Sequence, residues 1–278
     1  MDKRVSVSLA VGAGLVLAAA VALPKFAAGG ILGEAQAASL SGKLVVAGST
    51  SVQPLAEELA QEFMARNPQV RIQVQGGGSS AGITAAKSGA ADIGTSSREL
   101  KADEKSLHEV KIALDGIAVI VHPKNPVKNL TGEQVRKIFS GEITNWKEVG
   151  GPAKPIMLVT REAGSGTRGA FEELLMEKKS ISNKAIVQGS TGAVASTVAQ
   201  APTAVGYVSL GALDKTVKAV SLDGVKATEA NVRNKTYKLA RPFLFLTKSQ
   251  PTGLAKAFID YVLGEGQKLV ASEFVAVK

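Results

Sequence analysis

Again and again in this chain a short apolar run ends in a turn of glycine, serine and threonine, and a helical pattern begins directly after it. KLVVAG (Lys43–Gly48) leads into Ser49–Ser51. VRIQVQ (Val70–Gln75) leads into GGGSS and a short helix reaching about Ser88. ADI leads into Thr95–Ser97, and IMLVT (Ile156–Thr160) into REAGSGTRGAF. GSTGAVASTVAQAP (Gly189–Pro202) repeats the form with Ser190 and Thr191. Strands that alternate with helices predict an α/β protein with largely parallel sheets. In open sheets of that kind, ligands gather at the carboxyl ends of strands. The serine- and threonine-bearing turns are therefore candidates to converge on one site.

The periodicity is clear in several places. Val52, Leu55, Ala56, Leu59, Ala60, Phe63 and Met64 share one face of a helix that Ser51 is placed to cap. Pro54 fits its first turn and Asn67-Pro68 its end. IALDGIAVIVHP (Ile112–Pro123) reads as a long apolar strand, AVGYVSL and RPFLFLT as later ones. A helix starts at Thr131–Glu133, and a last one follows Pro251. No repeat of fixed period is present.

The 278 residues are 45% hydrophobic, enough for one large or two medium domains. With no cysteine, the chain has no disulfide, thiolate metal site or thiol nucleophile. The two histidines, His108 and His122, lack metal-ligand spacing, so neither a metal nor a cofactor is expected. Residues 1–37 read as a secretory signal: Lys3 and Arg4 come first, an apolar stretch follows from about Val5 to Leu23, and Ala35-Gln36-Ala37 ends it like a cleavage site. The alternative is a retained membrane anchor. Removing that segment changes the formal charge from +9 to +8, because Lys3, Arg4, Lys25, Asp2 and Glu34 leave. The basic residues are scattered and aromatics scarce, which argues against nucleic acid and leaves steering of small anions open.

A helix N-terminus offers free N–H groups and about half a positive charge. Three of them with one arginine would balance a dianion without a metal, at roughly +1.5 and +1. Ordinary N-capping uses the same residues. Gly164, Gly166 and Gly169 match GxGxxG, but no acid follows at the next strand end, so a dinucleotide site does not fit. The phosphate-loop motif GxxxxGK[ST] and SxxK are absent, and the AGSGT of REAGSGTRGAF does not supply GxSxG, which argues against a nucleotide hydrolase or a serine nucleophile in that loop.

Taken in order, AGSTSVQPL, QGGGSSAGI, ADIGTSSREL, DGIAV, ITNW and REAGSGTRGAF resemble the phosphate-binding proteins of ATP-driven phosphate importers, in their short-chain form. The resemblance covers essentially the whole mature chain. It implies a two-lobe periplasmic-binding-protein fold (type II) with two crossover strands, IAVIV and VGYVS, and a ligand in the inter-lobe cleft. Lobe 1 would be 38–118 plus 210–278, and lobe 2 would be 119–209. It implies an extracytoplasmic, non-enzymatic monomer that takes inorganic phosphate and hands it to membrane permease subunits of an ABC importer. Sulfate or molybdate, or a secreted phosphatase or hydrolase using the same cleft, are the alternatives. Carried over, Thr50, Ser51 and Ser79 would donate from lobe 1, and Arg161, Ser165, Gly166 and Thr167 would close from lobe 2. Long relatives carry an aspartate where this chain has Ser97, and an acid two residues after the arginine where it has Ala163, with Glu162 adjacent. Ser97 and Asp115 are therefore the two candidates to accept the phosphate proton, with turn chemistry in Asp-Gly as the other reading of Asp115. Arg168 is expected to face solvent. Trp146 is a candidate probe of closure, or a packing residue of lobe 2.

Overall fold

The computed structural model describes residues 40–277; the expected signal segment, 1–37, lies outside them. Three parallel strands begin the fold: β1 (Gly42–Gly48), β2 (Val70–Gly76) and β3 (Ile93–Ser96). They are connected by α1 (Gln53–Arg66) and α2 (Ser79–Ser88). The long β4 (His108–Val121) follows. Next come β5 (Asn129–Leu130), α3 (Gly132–Ser140), β6 (Met157–Arg161), α4 (Gly166–Leu175), β7 (Ile186–Gln188), α5 (Thr191–Gln200) and β8 (Ala204–Ser209). The chain continues through β9 (Lys218–Ala219), β10 (Ser221–Leu222), α6 (Glu229–Arg233), β11 (Ala240–Thr247), α7 (Gly253–Leu263), α8 (Gln267–Glu273) and β12 (Val275–Ala276).

The main strand order is β2-β1-β3-β11-β4-β8-β6-β7. The expectation of largely parallel sheets holds at the two flanks and fails in the middle. β2, β1 and β3 are parallel to one another, as are β8, β6 and β7, whereas β11 and β4 run antiparallel to their neighbours. The centre is antiparallel because β4 serves both halves. Its first part, His108–Gly116, pairs with β11, and its last part, Ile117–Val121, pairs with β8.

Two large cores flank that division. Leu44, Val46, Leu55, Leu59, Phe63, Ile112, Phe243, Phe245 and Phe258 form one. Ile117, Val119, Phe139, Trp146, Phe171 and Tyr207 belong to the other. Beyond the division β4 alternates strictly. Ile117, Val119 and Val121 face that second core, while Ala118 and Ile120 face a third cluster with Val159, Val194 and Val198. A strand buried on both faces reads as an unbroken apolar run, which is why IAVIV shows no polar alternation. Trp146 is a packing residue, fully buried, and its indole N–H donates to the Thr203 carbonyl at 2.9 Å.

The return path differs in detail from the sequence expectation. Val220, Leu222, Val232, Tyr237 and Leu239 pack into the same core as Phe139 and Trp146. The chain therefore stays beside the 119–209 region well after β8. It meets β4 again where the Ile117 N–H donates to the Leu239 carbonyl at 2.8 Å, and then runs into β11.

Candidate functional site

Each glycine-serine-threonine turn lies at the carboxyl end of a strand, and the structure draws these ends together. Ser49–Ser51 follow β1, Ser97 follows β3, Arg161 ends β6, and Thr191 opens α5. Ser51 was expected to cap α1. Val52 occupies the cap position without a side-chain bond. The Ser51 hydroxyl instead points across to Thr167 and Thr191, 2.8 Å from each hydroxyl oxygen. The α2 start likewise has no side-chain cap, because Gly78 holds that position. Ser165 behaves differently: its hydroxyl caps α4 by accepting from the Arg168 N–H at 3.2 Å. Of the expected donors, then, Ser165 does ordinary capping work, and Ser51 does not.

The cluster is buried and tightly coupled. Ser51, Ser79, Ser97, Arg161, Thr167 and Thr191 are all buried, and Thr50 is half-buried. The Ser49 hydroxyl donates to the Ser97 hydroxyl at 2.8 Å, and the Ser97 N–H donates to the Ser79 hydroxyl at 3.0 Å. Thr191 joins the two sides, within 3.3 Å of the Thr50 hydroxyl and 3.1 Å of Arg161 Nη1, which donates to it. Backbone adds to the seam, since the Ser80 N–H donates to the Gly164 carbonyl at 3.1 Å.

Gly166 is required where the turns meet. A Cβ there would stand 2.1 Å from the Ser79 hydroxyl oxygen and 2.7 Å from that of Ser97. Gly166→Ala should therefore push the α4 and α2 starts apart. Such overpacking costs about 1–3 kcal/mol, and most of it should fall on the closed arrangement. The check is to measure ligand affinity and ligand-free melting temperature together. An alanine variant that binds as tightly as the parent would contradict this geometry.

Arg161 is 1% exposed, and its donors are divided. Nε and Nη2 take the Glu162 carboxylate at 2.9 and 2.8 Å, and Nη1 aims at Thr191. Its peptide N–H donates to the Tyr207 hydroxyl at 3.4 Å, and its carbonyl accepts from Arg168 Nη1 at 3.0 Å. Arg168 was expected to face solvent, yet it is partly buried and splits its guanidinium between that carbonyl and Glu172. Tyr207 stacks on Phe171 at 4.2 Å. Burial pushes its phenol up to about 12, so it stays protonated and able to donate to Thr160.

Asp115 is not part of this cluster. Its Oδ1 accepts from the Ser209 hydroxyl at 2.9 Å and the Leu210 N–H at 3.1 Å, and its Oδ2 accepts from Arg241 Nε at 2.9 Å. Both oxygens are thus committed at the crossing of β4 and β11. Asp-Gly turn chemistry does not describe it either, because Asp115 lies within a strand. Ser97 is the one of the two candidates that shares hydrogen bonds with the cluster. Thr191 and Ser49 were not assigned to the site from sequence, although both lie in turns that repeat the same pattern. The Asp115–Arg241 pair carries no local sequence signal, since 126 positions separate its members.

Four helices, α1, α2, α4 and α5, thus start around one group of hydroxyls, together worth roughly +2 by the half-charge rule. A buried arginine stands beside them, and among the described residues no cluster of His, Cys, Asp or Glu is arranged to hold a metal. Two lobes that meet at a seam of hydroxyls, helix starts and a buried arginine have the form of a ligand-capturing binding protein. A PBP superfamily domain matches residues 33–265. The phosphate-binding protein PstS of Bacillus subtilis is 37% identical over 239 residues, 84% of this chain and 79% of that protein. The PstS of Pseudomonas aeruginosa is 32% identical over 270 residues, 86% of this chain and 84% of its own length. A crystal structure from Clostridium perfringens, described as a phosphate ABC transporter substrate-binding protein with bound phosphate, matches with a TM-score of 0.83. It is 45% identical and covers 85% of this chain and 100% of that one. The chain belongs to the phosphate-binding protein family of the PBP superfamily.

Proposed function

We propose that this protein captures inorganic phosphate between its lobes and delivers it to the permease subunits of an ABC importer, without catalysis. The observation that carries the reading is the hydroxyl group formed by Ser51, Thr167 and Thr191, joined to Arg161 across the seam. It links turns from β1 on one side with α4 and α5 on the other, so a ligand bound there holds both lobes at once. The proposed binding set is Thr50, Ser51, Ser79, Ser97, Arg161, Gly166, Thr167 and Thr191, with Ser165 supporting the α4 start. On the packing described above, the lobe around α3, α4 and α5 extends from about Ile117 to about Leu239, and the remaining described residues make the other.

Hydroxyls and helix N-termini suit an oxyanion because they donate without adding full charges. A hydroxyl at Ser97 either donates or accepts, so it accommodates the phosphate proton without barring fully ionised anions outright. The signal-like segment 1–37 supports export; among the described residues no helix is long and apolar enough to cross a membrane.

Calorimetry on stripped protein tests the reading. One phosphate should bind per chain, with no change on adding EDTA, and with sulfate and molybdate as measurable but weaker competitors. A requirement for a divalent cation would sink the clamp as described. Turnover of a phosphate ester by the purified protein would favour the hydrolase alternative.

A further inference from the structure

A lysine-lined cavity that shares no lining residue with the seam lies beside the end of β4. β9 pairs with Ile120 and Val121, the end of β4 far from β11. The Ser221 N–H donates to the Lys128 carbonyl at 2.9 Å, which ties the β10 strand to the segment before β5. Between these segments is a cavity of about 360 Å³, lined by Lys128, Lys218 and Lys226 together with Ser221, Thr228 and apolar Ala219, Val220 and Ala227. No acidic side chain lines it. The lysine ion pairs among the described residues belong to Lys105, Lys137, Lys179 and Lys256, so none of these three is neutralised by a carboxylate.

Three like charges around one concavity repel one another, and no carboxylate among the described residues forms an ion pair with them. Lys218 is only half-exposed, and its ammonium is held against the Asn125 carbonyl. Its pKa is pushed down from the ordinary lysine value, first by burial and then by the neighbouring Lys128 ammonium. Asn125, whose backbone carbonyl holds that ammonium, is itself buried. The volume falls at the small end of ligand pockets, roughly 300–1,000 Å³. That is room for a short multiply charged molecule and too little for a folded partner. Lysine is a point-charge binder of phosphate groups, and the Ser221 and Thr228 hydroxyls supply the shorter contacts.

We propose that this tri-lysine pocket is a second anion site, distinct from the inter-lobe seam, and that it takes a short oligophosphate. Linked phosphoryl groups bring several negative charges at a spacing that one pocket can neutralise, which a single phosphate does not. Occupancy depends on surface charge and so weakens as salt rises. The site is independent of what the seam binds.

The test is calorimetric titration of tripolyphosphate into protein saturated with inorganic phosphate, at low and at physiological salt. One additional saturable event is expected, weaker at the higher salt. Lys128→Ala, Lys218→Ala and Lys226→Ala combined should weaken it roughly ten- to hundredfold, with phosphate binding at the seam unchanged. A charge-matched control, Lys111→Ala with Lys154→Ala and Lys238→Ala, should leave it intact, as should Arg161→Ala. Equal losses in the two triple variants would reduce the effect to net charge and overturn the proposal. So would the absence of saturable binding at low salt, or binding only to vesicles of anionic phospholipid.

Discussion

Arg161→Ala is expected to weaken phosphate binding by about 2–5 kcal/mol, roughly thirtyfold to several-thousandfold. Two losses add together. The Nη1 donor that reaches Thr191 disappears, and the Glu162 carboxylate is left without the guanidinium that holds it at 2.8 and 2.9 Å. Glu162 Oε1 would be 3.2 Å from a Cβ built on Gly78, so the released negative charge would stand beside the α2 start. Arg161→Lys should recover little, because an ammonium cannot engage both carboxylate oxygens in a planar fork and still reach Thr191. Arg168→Ala should cost less. It removes one bond to the Arg161 carbonyl and a half-buried pair with Glu172, and leaves the donors themselves in place. Calorimetry on the three variants decides the order, and equal losses at Arg161 and Arg168 would count against the assignment of Arg161 to the ligand.

What the sequence made legible here follows from physical range. The turns were readable because strand, small-residue turn and helix are adjacent in the chain, and because each needs its own local residue types. Thr50, Ser51, Ser79, Arg161 and Thr167 lie in or beside those turns, and the resemblance to phosphate-binding proteins is what singled them out. The direction of each hydroxyl was not readable. Ser51 looked like a cap, and only the approach of α4 and α5 turns it toward Thr167 and Thr191. Ser165, in an equivalent turn, does cap its helix. The return to β4 was misplaced for a related reason. VGYVS has the apolar run of a buried strand, but which lobe holds the following 30 or so residues is decided by contacts such as Val232 and Tyr237 against the Phe139 core. Those contacts join positions about 100 apart, beyond the reach of any local pattern.

The largest effect on stability should come from a residue pair outside the hydroxyl cluster. Arg241 and Asp115 are 2% and 0% exposed. Nε donates to Oδ2, and Nη2 stands 2.8 Å from the same oxygen in an ion-pair contact outside hydrogen-bond geometry. Nη1 donates to the Ser97 carbonyl at 3.1 Å, so the pair also fixes the turn after β3. Burial pushes the Asp115 carboxyl above its ordinary value and the Arg241 guanidinium below its own, against their mutual attraction. Truncating one partner strands a buried charge. Arg241→Met should therefore cost about 3–5 kcal/mol. At roughly 2–4 °C per kcal/mol for a unit of this size, the melting temperature should fall by about 6–20 °C.

The pH dependence follows from the direction of the Asp115 shift. A carboxyl whose folded pKa lies above its unfolded value stabilises the fold most when it is protonated in both states. That contribution is lost as pH rises from about 4 through the folded pKa. With the guanidinium gone the shift grows, so the gap between Arg241→Met and the parent should be narrower near pH 4 than at pH 7. Asp115→Asn added to Arg241→Met removes the stranded charge and keeps Oδ1 as acceptor for Ser209 and Leu210. The double variant should regain most of the lost stability and flatten the pH dependence. Its phosphate affinity should still fall, because the Ser97 carbonyl has lost its anchor. A double variant that melts as early as Arg241→Met would mean that Arg241 contributes packing rather than charge balance.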